Sequence, residues 1–376
     1  MSKPECRDIV AAVVRGKGQP FTLEAARLRA PVDDEVRVRI VAAGMCHTDL
    51  IVRDQYYPVP LPAVLGHEGA GVVEAVGPHV RSLAPGDHVV LTYGHCGQCA
   101  TCCAGRTSYC ADFHARNFGG CGHDGQCAIT TPDGAPLHDH FFSQSSFATY
   151  ALSRERSAIK VPKDAPLRLL GPLGCGIQTG AGAVIHSLKV TPGARFVTLG
   201  AGAVGMSAVL AARLAGAATI VAVDVVPGRL ALALALGATH AVDSREPGWV
   251  EIVRAITGGG ADFALESTGR PALLAQGVAA LAPLGALGVV GASPQGTQAA
   301  FDVNDLLIAG KRIQGICEGD SVPRTFIPEL VELHMQGRFA FDRLVKFYAF
   351  DEINQAAADS AAGAVLKPIL LVEGHA

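Results

Sequence analysis

Gly200-Ala201-Gly202-Ala203-Val204-Gly205 is the feature that most restricts how this chain can fold. Gly-x-Gly-x-x-Gly alone is a weak pattern. Here an apolar run, Arg195–Leu199, precedes it, and a strongly apolar helical stretch, Val204–Ala215, follows it. A strand that turns into a helix at such a loop opens a βαβ unit. In that setting Gly200 permits the tight turn, Gly202 lets backbone approach a pyrophosphate, and Gly205 lets the helix pack close to the sheet. The positive start of the helix then holds the phosphates. The next expected strand, Thr219–Asp224, ends on a carboxylate able to accept both adenosine-ribose hydroxyls and to repel a 2′-phosphate. That favours NAD over NADP, and Arg229 nearby softens the preference.

The alternation continues past the loop. Arg229–Leu236 reads as a helix, and Asp262–Glu266 and Ala286–Gly291 as strands. Continuous apolar strands separated by helices indicate a doubly wound parallel sheet. Residues from about 35 to 160 read differently, as many short strands with Gly/Pro turns. Val36, Val38 and Ile40 alternate with Arg37 and Arg39, the period of a strand with one apolar face. This part is expected to form a β-rich, barrel-like domain. From about Cys317 the pattern is mixed, and the strand-like Ile369–Val372 at the end can return to the first domain. A chain of 376 residues, 49% hydrophobic, has the length for two domains with a core each.

Net charge is −3, with 31 Lys+Arg against 34 Asp+Glu, which gives no reason to expect a nucleic-acid or membrane partner. The apolar run Val197–Val226 is broken by glycines, Arg213 and Asp224, so it is a buried βαβ unit and not a membrane span. No apolar segment follows a basic start at the N-terminus, so no signal peptide is expected. The protein is read as cytoplasmic.

Eleven cysteines in a long chain of this kind point to metal or chemistry before disulfides. Cys96, Cys99, Cys102 and Cys110 have the spacing Cys-x2-Cys-x2-Cys-x7-Cys. Such short spacings let four thiolates converge on one tetrahedral zinc with no open position, a structural site. Cys103 is an alternative third ligand to Cys102, and an iron–sulfur cluster would also accept four thiolates. Three further segments hold candidate ligands: Gly44-Met45-Cys46-His47-Thr48-Asp49, Gly66-His67-Glu68 and Gly174-Cys175-Gly176. Two thiolates and an imidazole make a Cys2His site with a fourth position open. Buried apolar cysteines and a satisfied core histidine remain the bland alternative, because segments so far apart cannot be shown to converge by spacing.

Cys46-His47-Thr48-Asp49, Gly66-His67-Glu68-Gly69-Ala70-Gly71-Val72-Val73, the four-cysteine lobe and the Gly200 loop occur in the order seen in zinc-containing medium-chain alcohol dehydrogenases. The chain resembles that family over nearly its whole length. The resemblance implies an α/β protein whose GroES-like catalytic domain, residues 1–176 and 319–376, is split around a Rossmann NAD-binding domain, residues 177–318, with the active site in the cleft between them. It implies two zinc ions per chain, one catalytic and one structural. Cys46, His67 and Cys175 match the catalytic ligands, and Glu68 a nearby carboxylate that exchanges with water at the metal. Asp49 matches the acceptor of the other N–H of the ligand imidazole, and Thr48 the hydroxyl that receives the alcohol proton. His47 and Lys367 match basic positions reaching the coenzyme phosphates, and Thr179 and Val204 positions near the nicotinamide. On this resemblance a bound zinc would supply Lewis acidity toward the alcohol, and NAD would supply the hydride acceptor.

The likeness extends to the aryl-alcohol (benzyl alcohol) and geraniol dehydrogenase branch. It rests on Glu318-Gly319-Asp320-Ser321-Val322-Pro323, on Phe326-Ile327-Pro328, and on Ile51, where many relatives carry a histidine that hands the proton to solvent. The implied substrates are primary alcohols with a π-system beside the carbinol carbon. Tyr57, Tyr93, Phe141 and Phe142 fall where the family lines its substrate cleft, and aromatic walls suit flat apolar molecules. The longer loop Ala111–His140 also resembles glutathione-dependent formaldehyde dehydrogenase, although Tyr57 stands where that class has an acidic residue. A non-catalytic nucleotide- and zinc-binding scaffold is the reading from another class, and such proteins typically lose ligands that are all present here. Relatives pair through the nucleotide domain, so a homodimer or homotetramer is expected.

Overall fold

The computed structural model describes residues 5–122 and 124–372; the first four residues, His123 and the last four lie outside that description. Packing divides the chain into two compact units. One holds the chain up to Cys175, Val322–Met335 and the chain from Asp342 on; the other holds Gly176–Ser321 and Gln336–Phe341.

The first unit is built on two sheets. Strands β1 (Arg7–Val14), β2 (Thr22–Leu28), β4 (Ala63–Val64), β7 (Ile129–Thr130) and β8 (Pro136–Leu137) form one, in the order β4-β1-β2-β7-β8. The other runs β10 (Ala158–Val161), β6 (His88–Leu91), β5 (Glu68–Val76), β3 (Glu35–Gly44), β18 (Lys367–Leu371), β17 (Val345–Ala349), with β9 (Tyr150–Arg154) also on β3. The alternation in β3 puts Val36, Val38 and Ile40 into the core. Arg37, on the opposite face, is buried as well, and its guanidinium pairs with Glu74 at 2.6 Å, which offsets the desolvation.

The long β3 takes two partners along one edge. Its first half pairs with β9, and its end pairs with β18, Gly44 facing Ile369. Along its other edge Gly44 faces Glu68, the first residue of β5. This register brings Cys46, Glu68 and Lys367 to the same corner of the sheet.

The second unit has a six-stranded parallel sheet. Its strands are β11 (Arg195–Leu199), β12 (Thr219–Asp224), β13 (His240–Asp243), β14 (Ala261–Glu266), β15 (Leu281–Val289) and β16 (Arg312–Gly315). The order is β13-β12-β11-β14-β15-β16, so the chain reverses its direction of travel across the sheet at β11. Val197, Leu199, Val221, Val223 and Leu287 are buried between covering helices, among them Ala203–Leu214 and Trp249–Ile256. Continuous apolar strands are what two covered faces require. No helix among the described residues is long and apolar enough to cross a membrane.

Candidate active site

Cys46 caps the helix His47–Arg53 just after β3 ends, with extended backbone at φ −112° and ψ 159°. Asp49 in the first turn is fully buried and ties two loops together. Its Oδ2 accepts from the Cys46 N–H at 2.9 Å, and its Oδ1 accepts from Gly66 N–H at 3.2 Å and from His67 Nδ1 at 2.9 Å. That third bond fixes the His67 tautomer and leaves Nε2 without its proton when the ring is neutral. Nε2 is buried and, among the described residues, has no hydrogen-bond partner. Cys175 arrives from the turn Gly171–Gly174, which Thr92 Oγ1 anchors by donating to the Gly174 carbonyl at 2.7 Å.

The ligand atoms of Cys46, His67, Glu68 and Cys175 all lie within 4.8 Å of one another. A hydrogen bond shared with Cys175 holds the Cys46 thiol well below its ordinary range, against its burial and with help from the Lys367 cation. Burial works against a charged His67 ring, but Asp49 outweighs it and raises the imidazole well above its usual value. A field that retains a proton on an otherwise orphaned nitrogen among thiols also suits a divalent cation in the proton's place. Two sulfurs, one ring nitrogen and an oxygen are the donor set zinc takes, so the residues fit that metal. Thr48 Oγ1 sits 3.6 Å from Cys46 Sγ. His47 is exposed at the start of the helix.

Lys367 is not where the resemblance put it. It is only 2% exposed, and its ammonium donates to Glu68 Oε1 at 2.8 Å, Glu68 Oε2 at 2.9 Å and the Met45 carbonyl at 3.3 Å. The pairing of β18 beside Gly44 directs it inward to a buried carboxylate, not outward to a phosphate. Burial raises the Glu68 carboxyl against the pull of Lys367, and Glu68 raises the Lys367 ammonium against its own burial. Two thiolates match a divalent metal in charge, and Lys367 balances the remaining carboxylate. Gly44 makes room for that carboxylate, since a Cβ there would lie 2.2 Å from Glu68 Oε2.

Phe142 lies over the His67 ring, with centroids 4.5 Å apart and planes inclined by 30°, and Phe141 meets the same ring edge-on at 5.3 Å. Phe118 contacts both phenylalanines and Tyr57. Tyr93 differs from the expectation of a cleft wall. It has no exposed surface, its hydroxyl is 2.7 Å from Thr107 Oγ1, and it backs Phe113 from behind. Phe113 and Phe118 were not singled out in the sequence because they sit in a segment read as loop. They flank a helix of only six residues, Phe113–Phe118, too short to show a period. The stretch that carries Phe141 and Phe142 is strained, with His140, Phe142, Ser143 and Ser145 all left-handed at φ 50° to 60°. Gln144 pins it: Nε2 donates to the His67 carbonyl at 2.9 Å, and Oε1 accepts from Gly69 N–H at 3.0 Å.

Cys96, Cys99, Cys102 and Cys110 form a second cluster, their sulfurs within 4.8 Å of one another. Backbone N–H groups of Gln98 and Cys99 donate to Cys96 Sγ and pull that thiol down. Cys103 is exposed, and its thiol donates to the Gln98 carbonyl, outside the cluster.

In the second unit the Gly200 loop joins β11 to the helix Ala203–Leu214, with Gly202 as N-cap. A Cβ on Gly202 would meet nothing within 4 Å, the open cradle that a pyrophosphate needs. Asp224 closes β12. Its Oδ2 accepts from Ala201 N–H at 2.7 Å, its Oδ1 from Val225 and Val226 N–H, and Arg229 stands 3.8 Å away. Val204 lies in the first turn of that helix, and Gly180, next to Thr179, packs on the Val204 carbonyl.

Two family models match the chain: the alcohol dehydrogenase GroES-like domain over residues 32–163 and the zinc-binding dehydrogenase domain over residues 203–334. The geraniol dehydrogenase of Castellaniella defragrans is 46% identical over 362 residues, covering 96% of this chain and 97% of that one. Among solved structures, an alcohol dehydrogenase zinc-binding domain protein from Burkholderia ambifaria superposes with a TM-score of 0.97 at 68% identity, over 98% of this chain and 99% of that one. Benzyl alcohol dehydrogenase from Acinetobacter calcoaceticus superposes at 0.95 with 60% identity, over 97% and 99%. With its GroES-like and parallel-sheet domains and its buried Cys/His/Glu cluster, the chain belongs to the zinc-dependent alcohol dehydrogenases.

Proposed function

We propose that this enzyme reversibly oxidises primary aromatic and allylic alcohols, of the benzyl alcohol and geraniol type, to aldehydes with NAD. The observation that carries the reading is the aromatic cluster packed on a candidate metal ligand: Phe141 and Phe142 on His67, with Phe118 and Tyr57 behind them. Flat π-systems gain from offset and edge contacts that short aliphatic chains cannot make. The names of the geraniol and benzyl alcohol dehydrogenase relatives support it.

Cys46, His67 and Cys175 would hold a catalytic zinc, with Glu68 as an exchangeable ligand, and Cys96, Cys99, Cys102 and Cys110 a structural zinc, two ions per chain. When bound, the catalytic metal supplies Lewis acidity toward the alcohol, and NAD supplies the hydride acceptor. The chain's own part is positional. Asp49 orients the His67 ring, and Lys367 keeps Glu68 charge-neutral as a pair. Thr48 Oγ1, beside Cys46, takes the alcohol proton. Ile51 offers no imidazole to pass it on, so the relay ends at water or at the exposed His47. Gly200, Gly202 and Gly205 admit the pyrophosphate, with Thr179 and Val204 on the nicotinamide side. Asp224 selects NAD by refusing a 2′-phosphate, with Arg229 tempering the refusal.

Leu284, Val303, Leu307 and Ile308 are each at least 70% exposed near the edge strand β16, which favours pairing of copies through this unit as a homodimer or homotetramer. Steady-state kinetics on benzylic, allylic and short aliphatic alcohols, each with NAD and NADP, tests the reading. We expect kcat/KM to favour benzyl alcohol and geraniol over ethanol, and NAD over NADP. Equal efficiency on ethanol, or preferential oxidation of hydroxymethyl-glutathione, would overturn the substrate assignment.

A further inference from the structure

Glu318-Gly319-Asp320 leaves β16 as an arch of three consecutive left-handed residues, at φ 51°, 69° and 50°. Two of the three carry side chains that resist this conformation, and such strain persists only where surroundings over-determine it, commonly at ligand clamps. The surroundings here do so. A Cβ on Gly319 would lie 2.5 Å from the Gln178 carbonyl oxygen and 2.9 Å from both the Thr179 carbonyl oxygen and Gly182 Cα. Ser187 Oγ donates to Asp320 Oδ2 at 2.8 Å, and Ser321 Oγ is 3.0 Å from Gln178 Oε1. Thr179 Oγ1 donates to Glu318 Oε2 at 3.4 Å, and Glu318 is 8% exposed. The arch is thus locked to the helix Gly176–Gly182, whose Gly180 packs on the Val204 carbonyl at the start of the phosphate-binding helix.

A dinucleotide on such a sheet lies across the carboxyl ends of the strands, its two halves on either side of the point where strand order reverses. Asp224 at the end of β12 marks the adenosine side. The other half therefore lies over β14, β15 and β16, where Glu318 follows the end of β16 by three residues. The nicotinamide ring is a cation in NAD+ and neutral in NADH. A fixed carboxylate on this side stabilises the first and not the second.

We propose that Glu318, held by Thr179, is the residue that sets the preference of the site for oxidised over reduced cofactor, and so eases release of NADH after alcohol oxidation. The proposal rests on the dinucleotide reading of the Gly200 loop, and the test separates the two. Dissociation constants for NAD+ and NADH are measured by calorimetry on the zinc-loaded enzyme and on Glu318→Gln, Thr179→Val and Gly319→Ala. Glu318→Gln is expected to raise the ratio Kd(NAD+)/Kd(NADH) on the order of tenfold, the effect of one nearby unit charge in a partly screened site. Thr179→Val, which removes one hydrogen bond to the carboxylate, shifts the ratio in the same direction by less. Gly319→Ala, which disturbs packing without removing charge, weakens both forms alike. A ratio within twofold of the original in Glu318→Gln, or a shift as large in Gly319→Ala, overturns the proposal. Should Glu318→Gln fail to fold, an unmoved ratio in Thr179→Val does the same. Failure of the unaltered enzyme to bind either form overturns the dinucleotide reading itself.

Discussion

Gly202 and Gly205 stand three residues apart in one loop, and a methyl group should act at them in opposite ways. On Gly205 the added carbon would lie 1.9 Å from the Gly200 carbonyl oxygen and 2.9 Å from Thr198 Oγ1. Ordinary contact begins at 3.4 Å, so the helix Ala203–Leu214 has to retreat by about 1.5 Å from β11. Its buried residues Met206, Val209 and Leu210 lose packing as it does. Because the closest clash is with backbone that cannot turn aside, the cost lies toward the upper end of the about 1–3 kcal/mol typical of overpacking. The better helix propensity of alanine returns about 1 kcal/mol at most. In a domain of this size each kcal/mol lowers the melting temperature by about 2–4 °C. On Gly202 nothing lies within 4 Å and the backbone sits at an ordinary φ of −75°, so Gly202→Ala should melt within about 2 °C of the original. Its methyl instead occupies the approach of the pyrophosphate, and affinity for NAD+ should fall at least tenfold, about 1.4 kcal/mol. Calorimetric melts without cofactor and NAD+ titrations of both variants decide the matter. A Gly202→Ala that melts several degrees low, or a Gly205→Ala that melts with the original, would refute the assignment of the loop's two glycines to ligand and packing.

Cys102→Ser should lose one zinc per chain and loosen the lobe, while Cys103→Ser keeps both ions; elemental analysis of the purified variants reads this directly. Lys367→Met leaves Glu68 buried without its cation, a loss of about 3–5 kcal/mol, whereas a second change, Glu68→Gln, should restore much of the melting temperature; no gain in the double variant would break the ion-pair account. Asp34 loses solvation, but Arg154 and Arg156 outweigh that and hold its carboxyl below the usual value. The ionised form therefore adds stability that is complete above the unfolded value, about 3.9, and is lost as pH falls through the lower folded one. Melting curves of the original and Asp34→Asn should accordingly differ at pH 6 and converge at strongly acid pH; a constant offset would contradict this. Ile51→His should add a step near pH 6.5, the ordinary imidazole value, to the pH dependence of hydride transfer, and an unchanged profile would count against the missing relay.

Much of the second unit was legible in the sequence because its signals are local. A strand, a glycine loop, a helix and Asp224 at the next strand end all fall within thirty residues. The four-cysteine lobe was legible for the same reason, though only burial separates Cys102 in the cluster from the exposed Cys103. The Cys46, His67 and Cys175 cluster was legible through resemblance alone, since it depends on β3 pairing with β5 and on the turn before Cys175. Lys367 shows the limit of that route. Its type fitted a phosphate contact, but its direction is set by the register of β18 against Gly44, about which the residues around Lys367 carry no signal.

Phe141 and Phe142 were marked in the sequence as cleft residues, but the backbone that presents them was not. A sequence announces left-handed backbone through glycine or asparagine, and His140-Phe141-Phe142-Ser143-Gln144-Ser145 contains neither. Its unusual conformation is imposed from outside, by Gln144 on the His67 and Gly69 backbone and by Ser145 Oγ donating to the Val64 carbonyl at 2.7 Å. The bonds that force Phe142 into an unfavourable backbone are therefore anchored on residues 64–69, the stretch between β4 and β5 that carries His67. The Phe142 and His67 rings are thereby fixed to one piece of backbone, so a change in Gln144 should disturb the candidate metal ligand and its aromatic cover together, as separate substitutions of Phe141 or Phe142 would not.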